Sequence, residues 1–191
     1  HTVMADRIEA GTFCVAATLA KGNLMILNLD AKIIKTELKL LKRFGAKIKT
    51  HKEKIFIKGP EKIRSVQNIK TKEYPGVATD LQSQIMVLMC KANGKSSITE
   101  NIFENRFMHV AELRRLGAKI DLKNNKAHIS GNTKFIGAEL MSSDLRASVS
   151  LVLAAMVSKG KSIINRIYHL DRGYENIDCL LYTSPSPRDV H

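Results

Sequence analysis

Leu41-Lys42-Arg43-Phe44-Gly45-Ala46-Lys47-Ile48 returns later in the chain as Leu113-Arg114-Arg115-Leu116-Gly117-Ala118-Lys119-Ile120. Each stretch reads as the end of an amphipathic helix, a glycine fit to close it, and the start of a strand. Outward from these stretches, Ile34 to Gly45 and Phe107 to Gly117 are expected as helices. Hairpins follow: Ala46 to Thr50 with Lys54 to Lys58, and Ala118 to Leu122 with Ala127 to Ser130, the latter joined by the turn-prone Lys123-Asn124-Asn125-Lys126. Upstream, a helix of small and apolar residues occurs three times, Thr12 to Gly22, Leu81 to Gly94 and Leu145 to Gly160, each closed by a Gly suited to a C-cap. Each runs into a β-rich segment: Asn23 to Asn28, Ser96 to Thr99 and Ser162 to Ile167. The spacing from Gly22 to Gly45 equals that from Gly94 to Gly117, which marks copies of one unit.

The unit is therefore helix, strand, helix, hairpin, opened by a further strand such as Ser65 to Lys70. No copy can bury its apolar helix face alone, whereas three around an axis can, with helices inside and sheets outside. The expected fold is α/β, an inside-out α/β barrel lobe of three helix-strand-helix-hairpin repeats with the third truncated. After Ile177-Asp178 the pattern demands a Leu-x-x-Leu-Gly-Ala ending and a hairpin. The chain gives instead Cys179-Leu180-Leu181-Tyr182-Thr183-Ser184-Pro185-Ser186-Pro187, and prolines alternating with serines cannot complete a helix. Residues 1–178 are expected to form the lobe, and 179–191 a tail foreign to it and without order.

With 191 residues and 44% apolar content the chain can bury a substantial core. Its apolar runs, such as Val149 to Val157, fall well short of the roughly 20 residues a membrane-crossing helix requires. Cys14, Cys90 and Cys179 lack metal-ligand spacing and read as free thiols of a reducing cytosol, so neither metal nor cofactor is called for. A net charge of +13 raises nucleic acid as a partner. The excess lies largely in isolated lysines alternating with apolar residues, as in Lys54-Ile55-Phe56-Ile57-Lys58, which is the pattern of solvated strand faces. With aromatics at 5% and no Trp, a base-stacking platform is absent as well.

Four polar stretches break the helical patterning: Gly76 to Gln84, Thr99 to Val110, Ser143 to Ser148 and Tyr168 to Glu175. The second and third copies of the first helix open with Thr79-Asp80 and Ser143-Asp144. N-capping by Thr or Ser, with Asp complementing the helix dipole, is one reading. The first copy is aligned on Gly11-Thr12 and lacks the acid, so Asp80 and Asp144 can equally be functional additions. Arg106, Arg146 and Arg172 are either surface ion-pair partners or, at equivalent junctions, a set for bidentate recognition of carboxylate and phosphate. His109 and His169 fit packing or support roles, and Gly173 a turn.

Pro75-Gly76 with Thr79-Asp80-Leu81-Gln82, Phe103-Glu104-Asn105-Arg106-Phe107-Met108-His109-Val110, Asp144-Leu145-Arg146-Ala147-Ser148 and His169-Leu170-Asp171-Arg172-Gly173-Tyr174-Glu175, with the opening Asp6 to Thr12, together resemble the enolpyruvyl transferases. The resemblance covers Thr2 to Asp178 and implies a cytoplasmic, two-lobed enzyme with substrate between lobes. This chain looks like most of the C-terminal lobe, with the missing N-terminal lobe as its partner. The implied reaction moves enolpyruvyl from phosphoenolpyruvate to the 3-hydroxyl of UDP-N-acetylglucosamine and releases phosphate, the first committed step of peptidoglycan synthesis. By position in the motifs, Asp80 would sit at that hydroxyl and Asp144 would assist proton movements. Ile102 and Phe103 would line the UDP-sugar site, while Arg106, Arg146 and Arg172 would hold phosphoenolpyruvate and its phosphate. Where the family has Phe-Pro before Thr-Asp this chain has Val77-Ala78, which predicts a looser loop. The alternatives are the shikimate-pathway enolpyruvyl transferase and a non-catalytic basic domain for RNA or anionic glycan. Acids at the centre of a polyanion site would repel that last ligand.

Overall fold

The computed structural model describes residues 1, 3–174 and 177. The expected foreign tail, 179–191, lies outside these residues. Among the described residues the α-helices and strands follow in order: α1 (Arg7–Leu19), β1 (Asn23–Leu27), α2 (Lys35–Phe44), β2 (Lys47–His51), β3 (Lys54–Lys58), β4 (Ile69–Lys70), α3 (Gln82–Lys91), β5 (Ser96–Thr99), α4 (His109–Arg115), β6 (Ile120–Lys123), β7 (Lys126–Ile129), β8 (Glu139–Met141), α5 (Leu145–Met156) and β9 (Ile163–Asn165). None of the described helices is long and apolar enough to cross a membrane.

The strands form three sheets, in the orders β1-β3-β2, β4-β5-β7-β6 and β8-β9. In the first, Ile55 and Ile57 point into the core while Lys54, Phe56 and Lys58 face out, so the alternating lysines are solvated as the sequence suggests. Opening strands β4 and β8 pair in parallel with β5 and β9, the strands that follow α3 and α5. The run expected as a strand from Ser65 shortens to Ile69–Lys70. The hydroxyls of Ser96 and Ser97 take the Val66 and Asn68 amides that a longer ladder would use.

Helix α3 packs between α1 and α5 and is buried from Gln82 to Cys90. Burial also pushes the thiols of Cys14 and Cys90 up to about 12, so both are inert packing groups. Of the second helices, α2 closes on Gly45, at φ +108°, whose N–H reaches the carbonyls of Leu41 and Lys42, whereas α4 is capped by Leu116, and Gly117, at φ +99°, follows that cap. The first helices end at Leu19, Lys91 and Met156, so Gly22, Gly94 and Gly160 lie past the caps Ala20, Ala92 and Val157, in the turns that lead to β1, β5 and β9.

The starts of these helices also shift the alignment of the copies. Helix α1 begins at Arg7 rather than Thr12, because the Asp6 carboxylate accepts from the amides of Ile8 (2.7 Å) and Glu9 (3.3 Å). Counted back from Gly22, Gly94 and Gly160, residues Asp6, Ala78 and Asp144 occupy one position. The first copy therefore has its acid, and the alignment on Gly11-Thr12 is corrected. The capping residues are corrected too: Asp144, not Ser143, caps α5, and Thr79 caps nothing. Asp6→Ala should destabilise the chain by about 1 kcal/mol and lower its melting temperature by roughly 2–4 °C. Ser143→Ala should move it by less than about 0.5 kcal/mol. Calorimetry of the two variants checks the assignment.

Candidate active site

The 3₁₀ turn Thr79–Leu81 feeds directly into α3 and carries Asp80 at the mouth of a cleft of about 440 Å³. Asp80 Oδ1 lies 3.1 Å from Arg146 Nε and 3.6 Å from Arg106 Nη2. Each of the three side chains is about one-third or less exposed, so the pairs are partly shielded from water and salt. Arg172 lines the same cleft and has no ion-pair partner among the described residues. Asp80, Arg106, Arg146 and Arg172 thus meet, from four separate stretches of sequence. Asp144 lines the cleft as well, but its Oδ1 accepts from the amides of Arg146 (2.8 Å) and Ala147 (2.9 Å). Its second oxygen receives Ser143 Oγ at 3.2 Å, so both oxygens are engaged.

Phe103 lines not this cleft but a neighbouring hollow of about 590 Å³, which shares Glu104, Asn105 and Arg106 with it. Its ring lies 4.7 Å from the Arg106 guanidinium. Ile102 lines neither hollow; its amide is turned to Glu100, 2.9 Å away. Glu100 is the group that sequence reasoning passed over. Although 2% exposed, its carboxylate accepts from Thr71 Oγ1 (2.8 Å), Thr79 Oγ1 (2.9 Å) and the amides of Ile102 (2.9 Å) and Phe103 (3.3 Å). A buried charge is tolerable only when so fully hydrogen-bonded. Glu100 therefore ties the Ile102-Phe103 loop to the turn that bears Asp80. The signal was its place in the polar stretch Thr99 to Val110, directly after a β-rich segment.

The approach to Asp80 is hydrogen-bonded on both sides of Val77-Ala78. Thr36 Oγ1 donates to the Pro75 carbonyl at 2.5 Å, Lys72 N–H to the Val77 carbonyl at 3.0 Å, and Ala78 N–H to Glu37 Oε1 at 3.3 Å. Buried Glu37 is neutralised by Arg7 at 3.5 Å. Helix α2 thus supplies, through Thr36 and Glu37, two of the three hydrogen bonds along this segment.

His109 stands on the cleft wall, 3% exposed. Burial drives its pKa down to about 4, against the opposing charge of Asp144 and a hydrogen bond to the Arg106 backbone. It is a neutral imidazole at pH 7, and its Nε2, like Gln82 Nε2 nearby, is buried without a hydrogen-bond partner. His169 lies outside the cleft against the Tyr168 ring, 4.3 Å away.

A family model described as EPSP synthase (3-phosphoshikimate 1-carboxyvinyltransferase) matches residues 1–180. The chain is 62% identical over 178 residues to the UDP-N-acetylglucosamine 1-carboxyvinyltransferase of Pelagibacter ubique, and 51% identical over 177 residues to that of Desulfosudis oleivorans. Each match covers 93% of this chain but 42% of the relative, so the chain spans less than half the length of these proteins. Among solved structures, the enolpyruvyl transferase NikO from Streptomyces tendae superposes with a TM-score of 0.87 at 27% identity, over 97% of this chain and 44% of NikO. The EPSP synthase of Acinetobacter baumannii matches at a TM-score of 0.64 and 16% identity, over 86% of this chain and 39% of that one, which is a likeness of fold.

The unfolded chain takes up a proton on His109 near its ordinary pKa of 6.5, while the folded chain refuses it until about 4. Stability linked to His109 is therefore complete above pH 6.5 and declines as pH falls towards 4, by about 3 kcal/mol. NMR titration of the imidazole should give a midpoint near 4. A midpoint near 6.5 would show an accessible ring.

Proposed function

The chain belongs to the EPSP synthase family, and we propose that it forms part of a cytoplasmic enzyme that moves enolpyruvyl from phosphoenolpyruvate to the 3-hydroxyl of UDP-N-acetylglucosamine for peptidoglycan synthesis. On this reading residues 1–178 belong to one lobe, an inside-out α/β barrel of three repeats, and the substrates lie between it and a second, N-terminal lobe. The observation that carries the reading is the convergence of Asp80, Arg106, Arg146 and Arg172 on one cleft.

Three guanidiniums, Arg106, Arg146 and Arg172, line the cleft with the carboxylates of Asp80, Glu104 and Asp144, and their planar forks suit an anion with carboxylate and phosphate groups. Both contacts to Asp80 fall on Oδ1, so Oδ2 is left to accept the sugar hydroxyl. A carboxylate is a far weaker base than the alkoxide it would generate, which makes early proton abstraction inefficient. Asp80 accordingly orients the hydroxyl and takes its proton late, as the new carbon–oxygen bond acidifies it. Arg106, Arg146 and Arg172 stabilise the charge on the enolpyruvyl donor and the departing phosphate. Asp144 fixes the start of α5, and with it Arg146, before any proton work of its own. Ile102 and Phe103, on the loop held by Glu100, contact the UDP-sugar.

The high identity to proteins named for UDP-N-acetylglucosamine supports this substrate over a shikimate-pathway one, for which the likeness is one of fold. Asp80 and Asp144 in the cleft speak against RNA or an anionic glycan as ligand.

The isolated chain should release no phosphate above background from the two substrates. Joined to the remaining portion of the Pelagibacter ubique relative it should turn over, and Asp80→Asn in that chimera should lower kcat by about 10²-fold or more with a much smaller change in KM. A folded chimera that ignores UDP-N-acetylglucosamine but uses shikimate 3-phosphate would refute the reading.

A further inference from the structure

Position for position, Thr12, Gln84 and Ser150 are equivalent in the three copies, and all three are buried polar residues at the meeting of α1, α3 and α5. Gln84 is wholly buried, and both hydrogens of its amide are used, one on Thr12 Oγ1 (3.2 Å) and one on the Asp80 carbonyl (3.0 Å). Its Oε1 lies 2.8 Å from Ser83 Oγ, which is also 2.9 Å from the Arg146 carbonyl. The single Ser83 hydroxyl hydrogen is shared between those two acceptors. From the other side the Tyr174 hydroxyl, 2.8 Å from Thr12 Oγ1, joins the chain of bonds. Tyr174 is 1% exposed and two residues beyond Arg172, and between them Gly173 lies so close to Leu145 that a Cβ there would approach its Cδ2 to 2.7 Å.

We propose that Gln84 is a positioning residue, the centre of a buried hydrogen-bonded chain through Ser83, Thr12 and Tyr174 that fixes Asp80, Arg146 and Arg172 relative to one another. Two of its links end on backbone carbonyls of site residues, and the third anchors the turn that holds Arg172. Packing alone does not call for polar groups at this point. A buried polar chain exchanged for apolar groups of similar shape is close to neutral in stability, so what it adds is one specified arrangement. The helices carrying Asp80 and Arg146 could otherwise slide by fractions of an ångström, and a misplacement of about 1 Å at a reacting centre can cost about 10²-fold in rate.

The role rests on the enolpyruvyl transfer proposed above, and the test has one arm that does not. In this chain, Gln84→Met should shift the Arg146 Nε–H resonance and speed its exchange with water by about 10-fold, with the melting temperature within roughly 4 °C of the parent. In the chimera, Gln84→Met should lower kcat by about 10–100-fold with KM for UDP-N-acetylglucosamine changed less than about 3-fold. Tyr174→Phe, which removes a single hydroxyl and serves if Gln84→Met fails to fold, should raise KM for phosphoenolpyruvate through Arg172. The double variant should be no worse than Gln84→Met alone, as for members of one unit. If the chimera turns over and neither kcat of Gln84→Met nor the KM of Tyr174→Phe for phosphoenolpyruvate changes, the proposal is overturned whatever happens to stability. If the chimera does not turn over, the exchange arm decides: faster exchange supports the chain of bonds, and unchanged exchange rejects it.

Discussion

Helix α3 has almost no solvent face, and a helix buried on all sides must place its polar termini somewhere. Its sides are closed by α1 and α5, so charge collects at its ends, Lys91 in its last turn and Asp80 in the turn that leads into it. The unpaired amides of that turn favour negative charge, and Asp80 sits there. Because α5 lies alongside and starts at the same level, Arg146 arrives within 3.1 Å of Asp80 without any loop having to reach for it. The site follows from helix packing, and the loops refine it.

That refinement is electrostatic and layered. Glu37 and Glu100 are both nearly inaccessible carboxylates on either side of the Asp80 turn: Glu37 takes the Ala78 amide and pairs with Arg7, and Glu100 accepts from two threonine hydroxyls and two backbone amides. Each holds a segment of the site, and Glu100 also lines the hollow beside Phe103. The cleft itself is lined by both signs, the guanidiniums of Arg106, Arg146 and Arg172 beside the carboxylates of Asp80, Glu104 and Asp144. The surplus of lysines elsewhere, on the outer strand faces, adds long-range attraction for anions but no geometry.

Periodicity disclosed most of the architecture. The Leu-x-x-Leu/Phe-Gly-Ala repeat placed α2 and α4 and both hairpins to within a residue or two, because helix spacing and a left-handed glycine are local properties. The boundaries that failed were set by non-local or side-chain groups. The true start of α1 depended on recognising Asp6 as a cap ahead of an amphipathic run that contains Arg7 and Glu9, and β4 was shortened by serine hydroxyls from another strand. At the site, Asp80 and the arginines could be chosen from the motifs, since their residue types are improbable on plain helices. Glu100, Gln84 and Thr12 were not chosen. Their roles exist only once strands and helices distant in sequence have been brought together, and each is locally an ordinary residue.

The corrected alignment explains why one copy alone bears the central carboxylate. In the first and third copies an aspartate occupies the cap position and spends its oxygens on the amides of its own helix, as Asp6 and Asp144 both do. In the second copy that position is Ala78, which offers no side-chain cap, and the acid appears two residues later. Forgoing a cap costs about 1 kcal/mol. The cost is met elsewhere: Glu37 takes the Ala78 amide, and Glu100 takes the Thr79 hydroxyl. With its helix held by two other carboxylates, Asp80 has no structural duty at the backbone and turns towards Arg106 and Arg146 instead. A repeat that began as three equivalent helix starts thus yields one acid released from capping, facing the arginines that its neighbours provide.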